Sequence, residues 1–189
     1  MLSELASRAQ LILREQRELY GYWRSCAQSK PIASRFDIDP VDIPHLLPGL
    51  SLLDAGADLY ELRYRLAGTR VREIYGTEIT GRTVFDSGLS HKQDYWRAVY
   101  SKVIEEQTPM QGTVRGPLSG REHLILVWMR LPLSGLSGQV ERVLGYDAAI
   151  PAGFQLSNAD PSFTDASFAD PGFEEGPPAE ETRKRRLPG

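Results

Sequence analysis

The longest uninterrupted apolar run in the chain, Leu124 to Met129, is six residues long and apolar on both faces. Set between the glycine-containing loops 116–120 and 134–138, it reads as a strand, and a strand of this kind needs cover on both sides. It therefore belongs at the centre of a sheet with a layer packed on each face. Ile125, Val127 and Met129 are expected to face a helical layer. Leu124, Leu126 and Trp128 then face the other side, where an N-terminal helix, from this chain or from a second copy, is the available cover. The run falls far short of the roughly 20 residues that span a bilayer.

That N-terminal helix is written in the spacing of Leu5, Ala9, Ile12, Gln16, Leu19 and Trp23, a stripe that suits either the chain's own core or a paired helix. Lys30-Pro31 ends it, because proline cannot continue a helix. The connector that follows interleaves Pro31, Pro40, Pro44 and Pro48 with Asp37, Asp39 and Asp42. The prolines forbid a long helix and the aspartates suit turns, with one short helical turn expected around Ile43 to Leu47.

From Leu50 the period changes to two. A strand at Leu50–Leu53, a tight turn at Ala55–Asp58 and a second strand in which Tyr60, Leu62, Tyr64 and Leu66 share one buried face predict a β-hairpin. A short helix over Val71–Tyr75 closes at Gly76. Tyr95, Trp96, Val99, Tyr100, Val103 and Ile104 mark a longer helix between Ser90, its expected N-cap, and Thr108-Pro109. Strands over 111–115, 123–133 and 141–150 complete an α+β body with an antiparallel sheet. The expected boundaries are an N-terminal amphipathic helix to residue 30, an α+β domain over 31–151, and a disordered tail over 152–189. The tail holds ADPSF and ADPGF ten residues apart and ends in a basic cluster.

The net charge of -3 resides in that tail, so the body gives no electrostatic reason to expect nucleic-acid binding. Glu4 and Arg8 interrupt the apolar stretch a signal peptide needs, and Cys26 is the single cysteine; a cytoplasmic protein without disulfides is expected. No catalytic or metal-binding motif stands out: there is no Ser-His-Asp order, HExxH, phosphate-binding loop or dinucleotide loop.

The element order, together with the segment Tyr20 to Asp54 and the segment Tyr60 to Arg82, resembles a small bacterial subfamily of PAS domains. Its connector is similar to P-x-R-x-D-I-D-P-x-D-I-P-x-L-L-P, and its second strand leads through R-x-x-G-T and a short helix into T-G-R. The resemblance implies a five-stranded antiparallel sheet with helices on one face. It also implies a non-enzymatic sensory or regulatory module that signals by protein contact, with an unidentified signalling partner. On that reading a homodimer is expected through Leu5, Ile12, Leu19, Trp23, Leu124, Leu126 and Trp128. The alternative is a sensor of a small molecule or cofactor, a metabolite or haem, in a pocket lined by Tyr64, Leu66, Tyr75, Trp96, Tyr100, Val127 and Met129. His91 is the histidine placed to ligate haem, ahead of His45 and His123. A flavin photoreceptor of the LOV kind is not expected, since Cys26 precedes the first strand. A remote third reading, a small isomerase-type enzyme, needs a carboxylate in an apolar pocket, and Asp147 is its candidate.

Overall fold

The computed structural model describes residues 13–89, 92–116, 118, 120–152 and 174–175. Leu5, Ile12, Ser90, His91 and most of the tail thus lie outside the described residues. Helix α1 (Arg14–Ala27) leads through the connector to strand β1 (Leu50–Asp54), strand β2 (Arg63–Ala67) and helix α2 (Thr69–Tyr75). Helix α3 (Gln93–Glu105) follows, then β3 (Met110–Arg115), β4 (Leu124–Ser134) and β5 (Val140–Pro151). The sheet order is β2-β1-β5-β4-β3, antiparallel throughout, which puts β4 between β5 and β3 as its doubly apolar run requires. A two-residue strand, β6 (Glu174–Glu175), pairs in parallel with Met110 and Gln111 at the β3 edge.

The connector turns as its prolines and aspartates dictate. Short 3-10 turns form at Pro40–Asp42, where Asp39 accepts the Val41 N–H at 2.9 Å, and at Leu47–Gly49. Helix α2 ends on Gly76 in the left-handed conformation (φ 70°), which glycine adopts without steric cost.

Three expectations are corrected. The β1–β2 link is not a tight turn: Asp58 Oδ1 accepts the N–H groups of Tyr60 (2.7 Å) and Glu61 (3.1 Å), winding residues 59–61 into a 3-10 turn and removing Tyr60 from the strand. Leu66 does not share a face with Tyr64, because Leu53 pairs with Tyr64 while Leu52 pairs with Leu66. Arg65 is the extra residue of a β-bulge, and one extra residue turns the next side chain to the opposite face. Leu66 is consequently 59% exposed.

The third correction concerns β4, whose two faces are exchanged. Leu126, Trp128 and Arg130 lie beneath α3: the Trp96 and Trp128 rings are 5.3 Å apart, and Arg130 Nε donates to the Tyr100 hydroxyl at 2.9 Å. By alternation Val127 and Met129 face the other way, on the side of their register partners Ala148 and Tyr146. There Leu13, at the start of α1, joins Tyr146 and Ala148 around one surface groove.

Helix α1 covers this second face from within the chain. Gln16 is buried with both ends of its amide used: Oε1 accepts the Leu13 N–H at 3.1 Å, and Nε2 donates to the Trp128 carbonyl at 3.2 Å. Two helical turns on, Trp23 Nε1 donates to the Pro132 carbonyl at 2.9 Å. Leu19 and Trp23 are fully buried, so the stripe is spent on the chain's own sheet over its described length. No helix among the described residues is long and apolar enough to cross a membrane.

Candidate functional site

Two places in the fold combine unusual chemistry with a defined position. The first is the interior between the sheet and α3. Of the residues expected to line a pocket, Tyr64, Tyr75, Trp96 and Tyr100 converge here, whereas Leu66, Val127 and Met129 do not, for the reasons of bulge and alternation given above. Around the convergent four lie Trp128, Arg130 and Asp147, and all seven are buried.

The centre of this cluster is an ion pair. Arg130 Nη2 stands 2.9 Å from Asp147 Oδ1, with both side chains wholly excluded from solvent. The remaining guanidinium donors are also used: Nε on the Tyr100 hydroxyl, Nη1 on the carbonyls of Met129 (2.8 Å) and Tyr146 (3.3 Å). The guanidinium carbon also lies 5.4 Å from the Trp96 ring centre and 5.8 Å from that of Trp128, within cation–π range. Tyr64 and Tyr75 share a hydroxyl–hydroxyl contact of 3.3 Å.

Electrostatics follow from burial. Loss of hydration pushes the Tyr64 and Tyr75 hydroxyls well above their ordinary range. Tyr100 is raised by the same cause, with the Arg130 charge pulling back. For Arg130 burial works downward, but the charge of Asp147 and those of the tyrosines hold the guanidinium above its usual value. Burial raises the Asp147 carboxyl, against the charge and hydrogen bond of Arg130. Asp147 is thus bound to a guanidinium and does not stand in the apolar surroundings that an isomerase-type acid needs.

Apart from Asp147 Oδ1, which the ion pair holds, two buried polar groups in this region have no hydrogen-bond partner among the described residues, Trp96 Nε1 and Ser51 Oγ. Both adjoin Arg130. Trp96 stacks near the guanidinium, and a Cβ built on Gly145 would meet Ser51 Oγ and, at 3.2 Å, Arg130 Nη1.

Sequence reasoning missed Arg130. The signal was present: a lone charge inside an apolar strand, two residues from Trp128 and therefore on the same face, and an equally isolated Asp147 in the neighbouring strand.

The second place is a groove of about 370 Å³ on the opposite face of the sheet, where the connector stands off β1, β2 and β5. Its lining is apolar, with Ile38, Ile43, Leu50, Leu52, Leu66 and Leu144 contributing. Phe36 (58% exposed) and Val41 (79% exposed) are the sequence neighbours of the lining residues Arg35 and Pro40. The charges at its rim are paired within the chain: Arg35 Nε with Glu141 at 2.8 Å, Arg142 Nε with Asp54 at 3.0 Å, and Arg65 with the same Asp54 at 3.4 Å. The Arg35 guanidinium also lies over the Phe36 ring at 4.0 Å.

Residues expected at a dimer interface fall elsewhere. Leu19, Trp23, Leu126 and Trp128 are fully buried within one chain, and Leu124 is half-buried at the start of β4. Cys26 belongs to α1, across the sheet from the interior cluster, and His45 sits on the surface 3.1 Å from Glu18.

Comparison with known proteins agrees with this architecture. A family model described as a PAS domain matches residues 13–147. No curated protein matches. Among solved structures, an RNA-binding Light-Oxygen-Voltage receptor is similar at 13% identity (TM-score 0.43) over 60% of this chain and 34% of its own. The LOV protein of Rhodobacter sphaeroides is similar at 15% identity (TM-score 0.45) over 61% of this chain and 70% of its own. A sensory box sensor histidine kinase from Vibrio cholerae is similar at 12% identity (TM-score 0.40) over 58% and 87%. The chain thus spans about a third of the first of these structures.

Proposed function

Because this chain belongs to the PAS domain family, its model spanning residues 13–147, we propose that it is a non-enzymatic regulatory module that passes a signal by protein contact at the outer groove. The observation that carries this reading is the placement of apolar side chains. Those between the sheet and α3 are spent on a buried, ion-paired interior, while Leu66 at the groove on the other face, and Phe36 and Val41 next in sequence to groove residues, are left exposed. Exposed apolar side chains at and beside an apolar groove mark interaction sites. A shared fold does not specify activity, so the reading rests on the groove.

The test is direct. Phe36 replaced by the photo-crosslinker benzoylphenylalanine keeps an aromatic ring at a 58% exposed position. Irradiation of native cells carrying this variant is expected to yield a discrete higher-mass adduct, and the absence of any adduct overturns the reading.

A second reading, a sensor of a small polar molecule, is favoured by one observation: the unpartnered Trp96 Nε1 and Ser51 Oγ beside Arg130. Native mass spectrometry is expected on that reading to show a noncovalent adduct that Trp96→Phe abolishes. A preparation with no added mass counts against it.

A further inference from the structure

We infer that the groove lined by the start of α1, by α2 and by the end of β5 binds a free aliphatic α-amino acid, gripped by its ammonium and its carboxylate at once. This groove shares no lining residue with the outer groove and none with the interior cluster, so the site goes beyond both readings above.

Three elements bring the polar groups together. Arg70, in the first turn of α2, donates from Nη1 to the Tyr146 hydroxyl at 3.1 Å. Tyr146 is buried, so it fixes the guanidinium from below and leaves Nε and Nη2 without a partner among the described residues. Glu15, in the first turn of α1, lines the same groove, and its charge acts on the same hydroxyl. Arg70 and Glu15 are both half-buried, yet among the described residues neither forms an ion pair. Elsewhere in the chain Arg35, Arg130 and Arg142 each hold a carboxylate.

Opposite charges that share a groove without meeting lose hydration and gain no counterion. A zwitterion supplies both counterions in one head group. Its ammonium donates to the Glu15 carboxylate, and its carboxylate accepts from the open Nε and Nη2 of Arg70, the side-on pairing a guanidinium favours. A ligand of one charge would set that charge beside the group of like sign. The groove's remaining charges, Glu73 and Arg121, are again one of each sign, so the lining is neutral as a whole. Arg121 lies against Gly76 at the carbonyl end of α2, where a cation is favoured, which leaves Arg70 as the cation beside Tyr146.

The rest of the lining selects the side chain. Leu13, Ile74, Leu124 and Ile150 are aliphatic, and Ala148 and Ala149 leave room between them. The groove measures about 430 Å³, within the roughly 300–1,000 Å³ of small-molecule sites.

Isothermal titration calorimetry of the full-length protein with L-leucine is the experiment. Saturable binding at one site is expected. Isocaproate, which lacks the ammonium, and isoamylamine, which lacks the carboxylate, each bind about tenfold or more weakly. Glu15→Gln and Arg70→Gln each weaken L-leucine by about tenfold or more. Arg72→Gln, at an exposed position of α2, and Trp96→Phe, in the interior, leave it unchanged. Urea melts show whether each variant keeps its fold, and the two analogues carry the test on the unaltered chain where one does not. No binding of L-leucine, L-isoleucine or L-valine up to about 10 mM overturns the assignment. So does a singly charged analogue that binds as tightly as L-leucine, or L-leucine binding that a folded Glu15→Gln or Arg70→Gln leaves intact.

Discussion

Removing the Asp147 carboxylate tests the account of the interior most severely. In Asp147→Ala, Arg130 keeps three acceptors, the Tyr100 hydroxyl and the carbonyls of Met129 and Tyr146, but Nη2 loses the carboxylate it holds at 2.9 Å. The guanidinium remains charged and wholly buried. Breaking a buried pair from one side costs about 3–5 kcal/mol. The three retained bonds and the aromatic faces place this case near the lower end, at about 3 kcal/mol. A domain of this size is stable by about 5–15 kcal/mol, so the variant folds but melts early. Asp147→Asn keeps an acceptor for Nη2 without the charge and is expected to cost about 1–2 kcal/mol. The double variant Arg130→Met with Asp147→Leu removes both charges and restores apolar volume, so it should be more stable than Asp147→Ala alone. Urea unfolding at neutral pH, read as midpoint and slope, measures all three. A cost below about 1 kcal/mol for Asp147→Ala with an unchanged slope, or a double variant no more stable than Asp147→Ala, refutes the reasoning.

Leu19→Ala should cost about 2–5 kcal/mol in the monomer, because Leu19 is buried within the chain; a loss under about 1 kcal/mol in urea melts contradicts intramolecular packing of α1. Gly68→Ala should lower the melting temperature sharply, since its Cβ would strike the carbonyl oxygens of Leu47 and Pro48, which are backbone and cannot swing aside. Tyr64, Tyr75 and Tyr100 are raised by burial and Tyr95 is pushed up to about 12. Their folded values thus exceed the unfolded value near 10, so their contribution to stability is complete below pH ~10 and drains away as pH rises beyond it. Phenolate absorbance from these rings should appear together with alkaline unfolding; a smooth titration with an intact fold would show them to be accessible.

Much of the architecture could be read from local pattern. The doubly apolar 124–129 run placed β4 inside the sheet, the rhythm of Trp96, Val99, Tyr100 and Val103 marked the buried side of α3, and Gly76 ended α2. What escaped was decided by partners far along the chain. An alternating strand does not say which of its faces meets which layer, and for β4 the choice follows Arg130, whose charge is met by Tyr100 and Asp147 from two other elements. The bulge at Arg65 has no composition signal of its own, yet it moved Leu66 from the interior to the groove. The groove was illegible because it exists only where the connector, held off the sheet by its turns, passes over β1 and β5.

Strand β4 separates two worlds by the thickness of one pleat. On one side sits Arg130 with its ring of tyrosines; on the other, Gln16 and Trp23 grip the carbonyls of Trp128 and Pro132, the residues two before and two after Arg130. Every residue from Leu126 to Ser134 is buried, so neither side has slack to absorb a displacement. The strand therefore acts as a stiff diaphragm.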